Sequence, residues 1–218
     1  MRIIAFGDIH MNLGRFERIP GLAEADCLLI LGDITNFGGP QQAAEIIAQI
    51  RAINPNILAL AGNLDQPEVE EYLSRQAMSL HGKGVLLHGV GIFGVGGSNP
   101  TPFKTPTEFS EQKLGTVVNK GYEAINHAER LVMVSHTPPA NTRTDIIESG
   151  AHVGSTAVRD FIERTQPDLC LCGHIHEARA TDRIGATRII NPGMISQGGF
   201  VEVLLTDQGE VRAQLQTI

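Results

Sequence analysis

The stretch "RIIAFGDIH", residues 2–10, decides how the rest of the sequence is interpreted. Residues 2–8 form a short apolar run that ends in Gly-Asp, which predicts a buried strand followed by a tight turn. Asp8 and His10 lie at the end of that run, and both are residue types that ligate metal ions. An apolar run that ends in a metal-ligating residue then recurs along the chain.

Four later runs have this form. The predicted strands cover residues 26–33, 56–63, 130–136 and 168–174. In chain order they end in Asp33, Asn63, His136 and His174, and His176 follows two residues later. Helical patterns are predicted at 13–19, 40–53, 67–76 and 155–167, with a further helical stretch that ends near residue 128. Alternation of helices with nearly continuous apolar strands predicts an α/β fold with a mostly parallel, covered sheet.

The remaining segments complete one domain, residues 1–218. Residues 85–97 predict one or two strands broken by glycine, and 188–191 predicts another. Two alternating strands at 199–207 and 210–218 are joined by Asp207-Gln208-Gly209, a hairpin signal. The proline-rich stretch 98–109 is too long for a simple turn and is expected to carry function.

In open α/β sheets, ligands bind beyond the carboxyl ends of the strands. The predicted fold is therefore expected to bring these polar residues together. Asp, His and Asn ligands without thiolate suit Mn²⁺, Fe, Zn²⁺, Mg²⁺ or Ni²⁺. Seven ligands exceed what one metal needs, so we expect two metals bridged by Asp33, a pair that would activate water and orient a phosphate ester. A glycine precedes each of four ligands, where the backbone turns and metals approach: Asp8, Asp33, Asn63 and His174.

Each of these residues has a plainer interpretation when taken alone. An Asp after Gly is usually a turn former or a helix cap, and His174 with His176 is compatible with a surface pair. The ordered joint pattern, with each residue at the end of an apolar run, is what favours a metal site.

The composition of the chain disfavours several classes of protein and of site. The net charge of −7 disfavours nucleic-acid binding, which needs basic surface. The three cysteines, Cys27, Cys170 and Cys172, lie inside apolar runs, which favours a core role in a reducing compartment over a disulfide or zinc site. No signal-peptide pattern or membrane-length apolar run is present, so a soluble, cytoplasmic protein is expected, and a homo-oligomer is left open.

The blocks "GDIH" (7–10), "GD" (32–33), "GN" (62–63), "SH" (135–136) and "GHIH" (173–176) resemble the calcineurin-like metallophosphoesterase superfamily. The resemblance covers residues 1 to about 193. Within the superfamily, the sequence is similar to the branch of small stand-alone bacterial and archaeal phosphoesterases. It implies a four-layer α/β/β/α sandwich of two mixed sheets, the second sheet using 85–97 and the C-terminal strands.

The same resemblance implies the ligand sets and the activity. The first metal would be held by Asp8, His10, Asp33 and His176. The second would be held by Asp33, Asn63, His136 and His174. The implied protein is a dinuclear-metal phosphoric ester hydrolase, with a phosphodiesterase favoured over a phosphomonoesterase and Mn²⁺ favoured as the metal. The sequence does not separate diester from monoester preference. Its partner would be a small phosphate ester.

Leu64 departs from the family pattern, in which a histidine follows Gly-Asn and protonates the leaving group or stabilises the transition state. Leucine donates no proton, although Asp65, which usually orients that histidine, is present. His152, flanked by glycines, is the first candidate for a substitute catalytic acid and His10 the second, while a solvated loop histidine is the alternative for His152. For Arg143 and Lys104 a solvated surface charge is favoured over phosphate contact.

Three other classes compete with this hypothesis. An interaction or scaffold module that retains the fold is favoured by Leu64, as in the retromer subunit of this superfamily, but it has no need of seven intact ligands. A nuclease is disfavoured by the acidic charge. A nucleotide-dependent oxidoreductase is weaker still, because no Gly-x-Gly-x-x-Gly follows the first strand.

Overall fold

The computed structural model describes residues 1–206 and 209–218. Within them lie four α-helices: α1 (Pro40–Arg51), α2 (Pro67–Arg75), α3 (Glu111–Glu123) and α4 (Thr156–Thr165). The same residues form eleven strands: β1 (Arg2–Phe6), β2 (Cys27–Ile30), β3 (Ile57–Ala59), β4 (Gly84–Leu87), β5 (Val90–Val95), β6 (Arg130–Ser135), β7 (Leu169–Cys172), β8 (Ala180–Ile184), β9 (Thr187–Asn191), β10 (Gly199–Leu205) and β11 (Val211–Thr217).

The strands form two mixed sheets. The first has the order β11-β10-β1-β2-β3, with β1, β2 and β3 parallel and the last two strands of the chain antiparallel. The second has the order β4-β5-β6-β7-β9-β8, with a parallel centre and an antiparallel strand at each edge. The parallel centres explain why the sequence pattern there is continuously apolar.

Alternating side chains of β1 show how the layers are built. Ile4 and Phe6 face α1 and α2 in one apolar cluster, whereas Ile3 and Ala5 belong to the cluster between the two sheets. A third cluster packs α3 and α4 against the outer face of the second sheet, around Phe93. The architecture is therefore the four-layer α/β/β/α sandwich that the resemblance implied.

The helix boundaries follow their sequence signals. Proline occupies the first position of α1 and of α2, where its missing N–H costs no hydrogen bond. Ser155 caps α4 by accepting from the Val158 N–H at 3.2 Å, as predicted. The predicted helix at 13–19 is wrong: only Phe16–Arg18 forms a 3₁₀ turn. Gly14 and Pro20 bracket this segment, which is too short to nucleate an α-helix.

Two strand assignments also need correction. The C-terminal strands β10 and β11 join the first sheet beside β1, not the second sheet. An alternating pattern specifies a half-buried strand, not the edge to which it pairs. Strand β8 was not predicted, because its sequence "ATDRI" is mostly polar, as suits an edge strand. Residues 85–97 form two strands, separated by His88 and Gly89 in left-handed conformations.

The predicted C-terminal hairpin pairing is present, since β10 and β11 are antiparallel with Leu205 opposite Val211. Residues 207 and 208 of its predicted turn lie outside the described residues.

All three cysteines are buried and free, which confirms their core role. Cys27 lies between the sheets, and Cys170 and Cys172 lie beneath α3 and α4. Burial raises the pKa of the Cys27 and Cys170 thiols to about 12, so both are unreactive thiols at neutral pH. Among the described residues no helix is long and apolar enough to cross a membrane.

Candidate metal centre

The carboxyl ends of both sheets supply the predicted ligands. Asp8, Asp33 and Asn63 follow β1, β2 and β3 of the first sheet, whereas His136 and His174 follow β6 and β7 of the second. The prediction that all seven ligands lie at the rim of one sheet is therefore wrong, because the site lies where the two sheets end side by side. The Asp8 carboxylate joins them by accepting from the His174 backbone N–H at 3.1 Å.

A first group of donors consists of Asp8, His10, Asp33 and His176. One ligand atom from each lies within 4.8 Å of all the others. The Nε2 atoms of His10 and His176 are 2.9 Å apart, so both ring nitrogens point at the same place. His10 Nε2 lies 3.8 Å from Asp33 Oδ2, and His176 Nε2 lies 3.7 Å from Asp8 Oδ1. This convergence of imidazole and carboxylate suits one divalent cation.

A second group lies on the other side of Asp33. His136 Nε2 is 3.0 Å from Asn63 Oδ1 and 3.5 Å from Asp33 Oδ1. The His174 ring packs against the His136 ring, with centroids 5.2 Å apart. Asp33 thus directs one oxygen toward each group, which is the geometry a bridging carboxylate requires.

Neighbouring residues fix the orientation of these donors. His136 Nδ1 lies 2.9 Å from the Leu31 carbonyl, which can only accept, so Nδ1 carries a proton and Nε2 is the ring atom that faces the other donors. The Asn63 side-chain amide donates to Thr105 Oγ1 at 3.0 Å, which leaves Oδ1 facing His136. Thr105 belongs to the loop 98–109, so this loop holds a candidate ligand in place.

Four of the candidate ligands lie in strained backbone conformations. Asp8, His10, Asp33 and His174 have φ values of 49°, 47°, 49° and 70°, a region that non-glycine residues rarely occupy. Such conformations persist where surrounding structure enforces them, commonly at functional sites. A Cβ at Gly62 would collide with the Asp33 carboxylate, so glycine is required at this position for Asp33 to lie where it does.

Opposite charges control the electrostatics of the centre. Burial alone would raise the pKa of Asp33, but His136 and His10 lower it to about 2. Burial alone would lower the pKa of His136, but Asp33 and Asp8 raise it to about 9. Burial, reinforced by His136, lowers the pKa of His174 to about 3. The neutral His174 and the ionised Asp33 are in the protonation state that metal binding needs, whereas the protonated His136 has to release a proton when a metal ion binds.

Sequence reasoning missed one supporting residue, Asn191. Its buried side chain donates to the Ile175 carbonyl at 2.9 Å and accepts from the Gly193 N–H at 2.8 Å, which holds the segment that carries His174 and His176. The Asn-Pro-Gly sequence after an apolar run was the available signal.

Asp65 has a different role from the one its position suggested. Its buried carboxylate accepts from the backbone N–H groups of Ile34, Thr35 and Gly62, at 3.1, 2.7 and 2.8 Å. It ties the loops after β2 and β3 together, and this explains its presence beside Leu64.

A cavity of about 930 Å³ opens over the donors Asp33, Asn63, His174 and His176. His152 lines it, and its Nδ1 lies 2.6 Å from Oδ1 of the buried Asp145. The structure thus brings His152 to the same cavity as the metal-ligand candidates. His10 instead lies within the first group of donors. Arg143 and Lys104 are exposed and are not among the residues that line the cavity.

Comparisons with known proteins agree with this architecture. The profile of the family described as calcineurin-like phosphoesterase matches residues 1–178. An uncharacterized protein of Methanocaldococcus jannaschii, MJ1162, is 35% identical over 200 residues, 88% of each chain.

Two solved structures show the same fold. The protein TT1561 of Thermus thermophilus has a TM-score of 0.73 at 17% identity, over 98% of this chain and 97% of that one. A dimetal phosphatase from Danio rerio has a TM-score of 0.66 at 15% identity, over 100% of this chain and 98% of that one. With the matched profile, the relative and the convergent donors together, the chain belongs to the calcineurin-like phosphoesterase family.

Proposed function

We propose that this metal-dependent phosphoesterase uses two metal ions to hydrolyse a small phosphodiester. The observation that carries the proposal is the Asp33 carboxylate, which directs one oxygen toward each of two donor groups. Carboxylate, imidazole and amide oxygen donors without thiolate fit Mn²⁺, and they also suit Fe, Zn²⁺, Ni²⁺ or Mg²⁺.

In this proposal Asp8, His10, Asp33 and His176 hold one metal ion. The other is held by Asp33, Asn63, His136 and His174. The pair, when bound, activates a water molecule and neutralises charge on the phosphoryl oxygens. In this proposal Asp33 and Asn63 act at the reacting atoms. The Leu31 carbonyl orients His136, and Thr105 orients Asn63.

His152 is proposed as the acid that protonates the leaving group. Asp145 accepts three backbone N–H bonds, from Asn141, Thr142 and Gly154, and is completed by His152 Nδ1 at 2.6 Å. A carboxylate fixed in this way orients the imidazole and leaves Nε2 available for proton transfer. The His152 side chain is 39% exposed and lines the cavity, so a substrate can reach it.

The charge of the cavity supports a diester over a monoester. Of the described residues that line it, none is lysine or arginine, whereas Glu148 and Glu177 are acidic. A monoester dianion gains from additional cations beyond the metals, which this lining does not provide. A diester carries a single negative charge, and two metal ions balance it.

The testing experiment compares hydrolysis of bis-p-nitrophenyl phosphate and p-nitrophenyl phosphate by the Mn²⁺-loaded protein. We expect turnover that disappears on chelation and that favours the diester. Faster hydrolysis of the monoester would contradict diester specificity. An absence of turnover with every metal, despite two bound ions, would contradict the enzymatic assignment.

A scaffold module is the second candidate, and Leu64 is the observation that favours it. An apolar side chain stands beside Asp33, where an acid would serve catalysis. Bound metals without turnover are the outcome that selects this candidate.

The three buried, free cysteines support a reducing compartment, and we propose the cytoplasm. Thiol titration of unfolded protein freshly isolated from cells tests this, with three reactive thiols expected per chain. Detection of a disulfide would contradict it.

A further inference from the structure

Two phenylalanines stand exposed at the cavity over the donor groups. Phe103 is 82% exposed and Phe37 is 56% exposed, the largest values among the large apolar side chains that the structure describes. Both line the same cavity as Asp33, Asn63 and His176. Exposed apolar groups that gather at one concave site commonly mark a ligand contact.

Phe37 is held beside the donors by strained backbone. Its φ of 60° lies in the left-handed region, which is uncommon for a bulky residue. Its N–H donates to the Leu64 carbonyl at 2.9 Å, and the Leu64 N–H donates to Asp33 Oδ1 at 2.8 Å. Two hydrogen bonds thus connect Phe37 to the carboxylate that faces both donor groups. Leu64 extends this apolar surface, since it lines the cavity as well.

Phe103 approaches the cavity from a braced loop. Glu108 accepts from Thr101 Oγ1 at 2.6 Å and from the Thr105 backbone N–H at 2.7 Å, on either side of Phe103. The Asn99 amide donates to the Val153 carbonyl at 3.1 Å, next to His152. The loop therefore presents Phe103 on a supported segment, near the candidate acid.

The residues that line the cavity indicate the chemical character of the group that binds there. Away from the metal-ligand candidates the charged residues of the lining are Glu148 and Glu177, so a second negative charge on a substrate would be repelled. Phenylalanine rings prefer planar aromatic groups in offset or edge-to-face contact over aliphatic groups of equal area. The volume of about 930 Å³ accommodates such a group in addition to a phosphoryl group.

We infer that the leaving group of the substrate carries an uncharged planar aromatic ring that packs on Phe37, Leu64 and Phe103. The inference rests on the proposed function, since it places the phosphoryl group at the donors of Asp33 and its neighbours. An aryl group and a nucleoside base share this chemistry.

The test measures binding of two phosphonates to the Mn²⁺-loaded protein by calorimetry. Benzylphosphonate and cyclohexylmethylphosphonate carry the same metal-binding head and rings of similar size, but one ring alone is planar and aromatic. We expect the benzyl compound to bind about threefold to tenfold more tightly, which corresponds to the usual advantage of an aromatic pair. Phe103→Leu and Phe37→Leu should each reduce this ratio toward one. Leu86→Ala, at an exposed apolar residue on β4, is the matched control and should preserve it.

Equal binding of both phosphonates, or an unchanged ratio in the two phenylalanine variants, would overturn the inference. If both compounds bind equally tightly and only in the presence of metal, the inference fails but the proposed function stands. If binding persists after the metal ions are removed by a chelator, the proposed function itself is contradicted. The methylenephosphonate isostere of adenosine 5′-monophosphate identifies the source. Tighter binding than that of benzylphosphonate supports the inference with a nucleoside base, and weaker binding supports it with a simple aryl group.

Discussion

The backbone N–H of Leu64 donates to Oδ1 of Asp33 at 2.8 Å. The other oxygen of that carboxylate lies 3.8 Å from His10 Nε2. The residue that replaces the expected histidine is therefore attached directly to the centre of the donor cluster. Its side chain sets the chemistry next to any phosphate ester bound there, and its backbone helps to position Asp33.

Asp33→Ala should abolish binding of both metal ions or leave one weakly bound, because both donor groups lose an oxygen. Elemental analysis after Mn²⁺ loading and desalting measures the stoichiometry. Glu177→Gln is the matched control, since Glu177 lines the cavity outside the two donor groups and should retain the full metal content. Unchanged stoichiometry in Asp33→Ala would refute the bridging role.

Leu64→His should accelerate hydrolysis of an ester with a poor alkoxide leaving group more than that of a nitrophenyl ester. The gain should fall below the roughly 10²–10⁴-fold contribution that is usual for a general acid. The reason is that Asp65 is already occupied by three backbone N–H groups and cannot orient the new imidazole. Steady-state kinetics on the two esters give the comparison, and equal effects on both would argue against a missing acid.

His152→Gln should slow hydrolysis of the alkoxide ester by about 10²-fold or more and that of the nitrophenyl ester by much less, because nitrophenolate departs without a proton. Asp145→Asn should also slow the alkoxide ester more than the nitrophenyl ester, but by a smaller factor, because it disturbs the orientation of the His152 ring. His127→Gln, at an exposed histidine outside the cavity lining, is the matched control. If His152→Gln slows both esters alike, the residue is not the leaving-group acid.

Asp65→Ala should destabilise the fold by about 2–4 kcal/mol, because three buried N–H groups lose their acceptor. Urea denaturation of the metal-free protein measures the change. Asp160→Ala replaces an exposed carboxylate on α4 and should alter the free energy of unfolding by no more than about 0.5 kcal/mol. Similar values for the two variants would show that Asp65 does not tie the loops together.

His81 should make the fold acid-sensitive. Burial, with Lys113, Lys120 and Lys83 nearby, lowers its pKa to about 4, below the ordinary value of about 6.5 in the unfolded chain. The unfolded chain therefore binds a proton that the folded chain refuses, and stability falls as pH decreases from about 6.5 to about 4.

In the parent, His81 Nδ1 accepts a hydrogen bond from the Gly96 N–H at 3.1 Å. His81→Gln should remove the pH-dependent contribution, while the side-chain oxygen of glutamine still accepts this hydrogen bond. Between pH 7.5 and 5 the parent should lose about 2 kcal/mol more than the variant. Identical pH dependence in urea denaturation of the two proteins would contradict this assignment.

The sequence predicted those features that depend on local pattern. Buried strands ending in Asp33 or His136 were recognisable because a continuous apolar run ended abruptly at a ligand residue. Which sheet each strand joins was not recognisable, since pairing of β10 with β1 depends on contacts between residues at opposite ends of the chain. The same limit concealed Asn191 and the loop-tying role of Asp65, because their partners are backbone groups rather than sequence neighbours.

The division of the donor set between two sheets has a thermodynamic consequence. Each donor group draws residues from both sheets, as in the pairing of His10 with His176 and of Asn63 with His136. A cation that binds either group selects the folded chain over the unfolded one. Each tenfold rise in its free concentration above the dissociation constant then adds about 1.4 kcal/mol to the free energy of unfolding. The free concentration of metal ion would thus set the stability of the fold as well as the occupancy of the site.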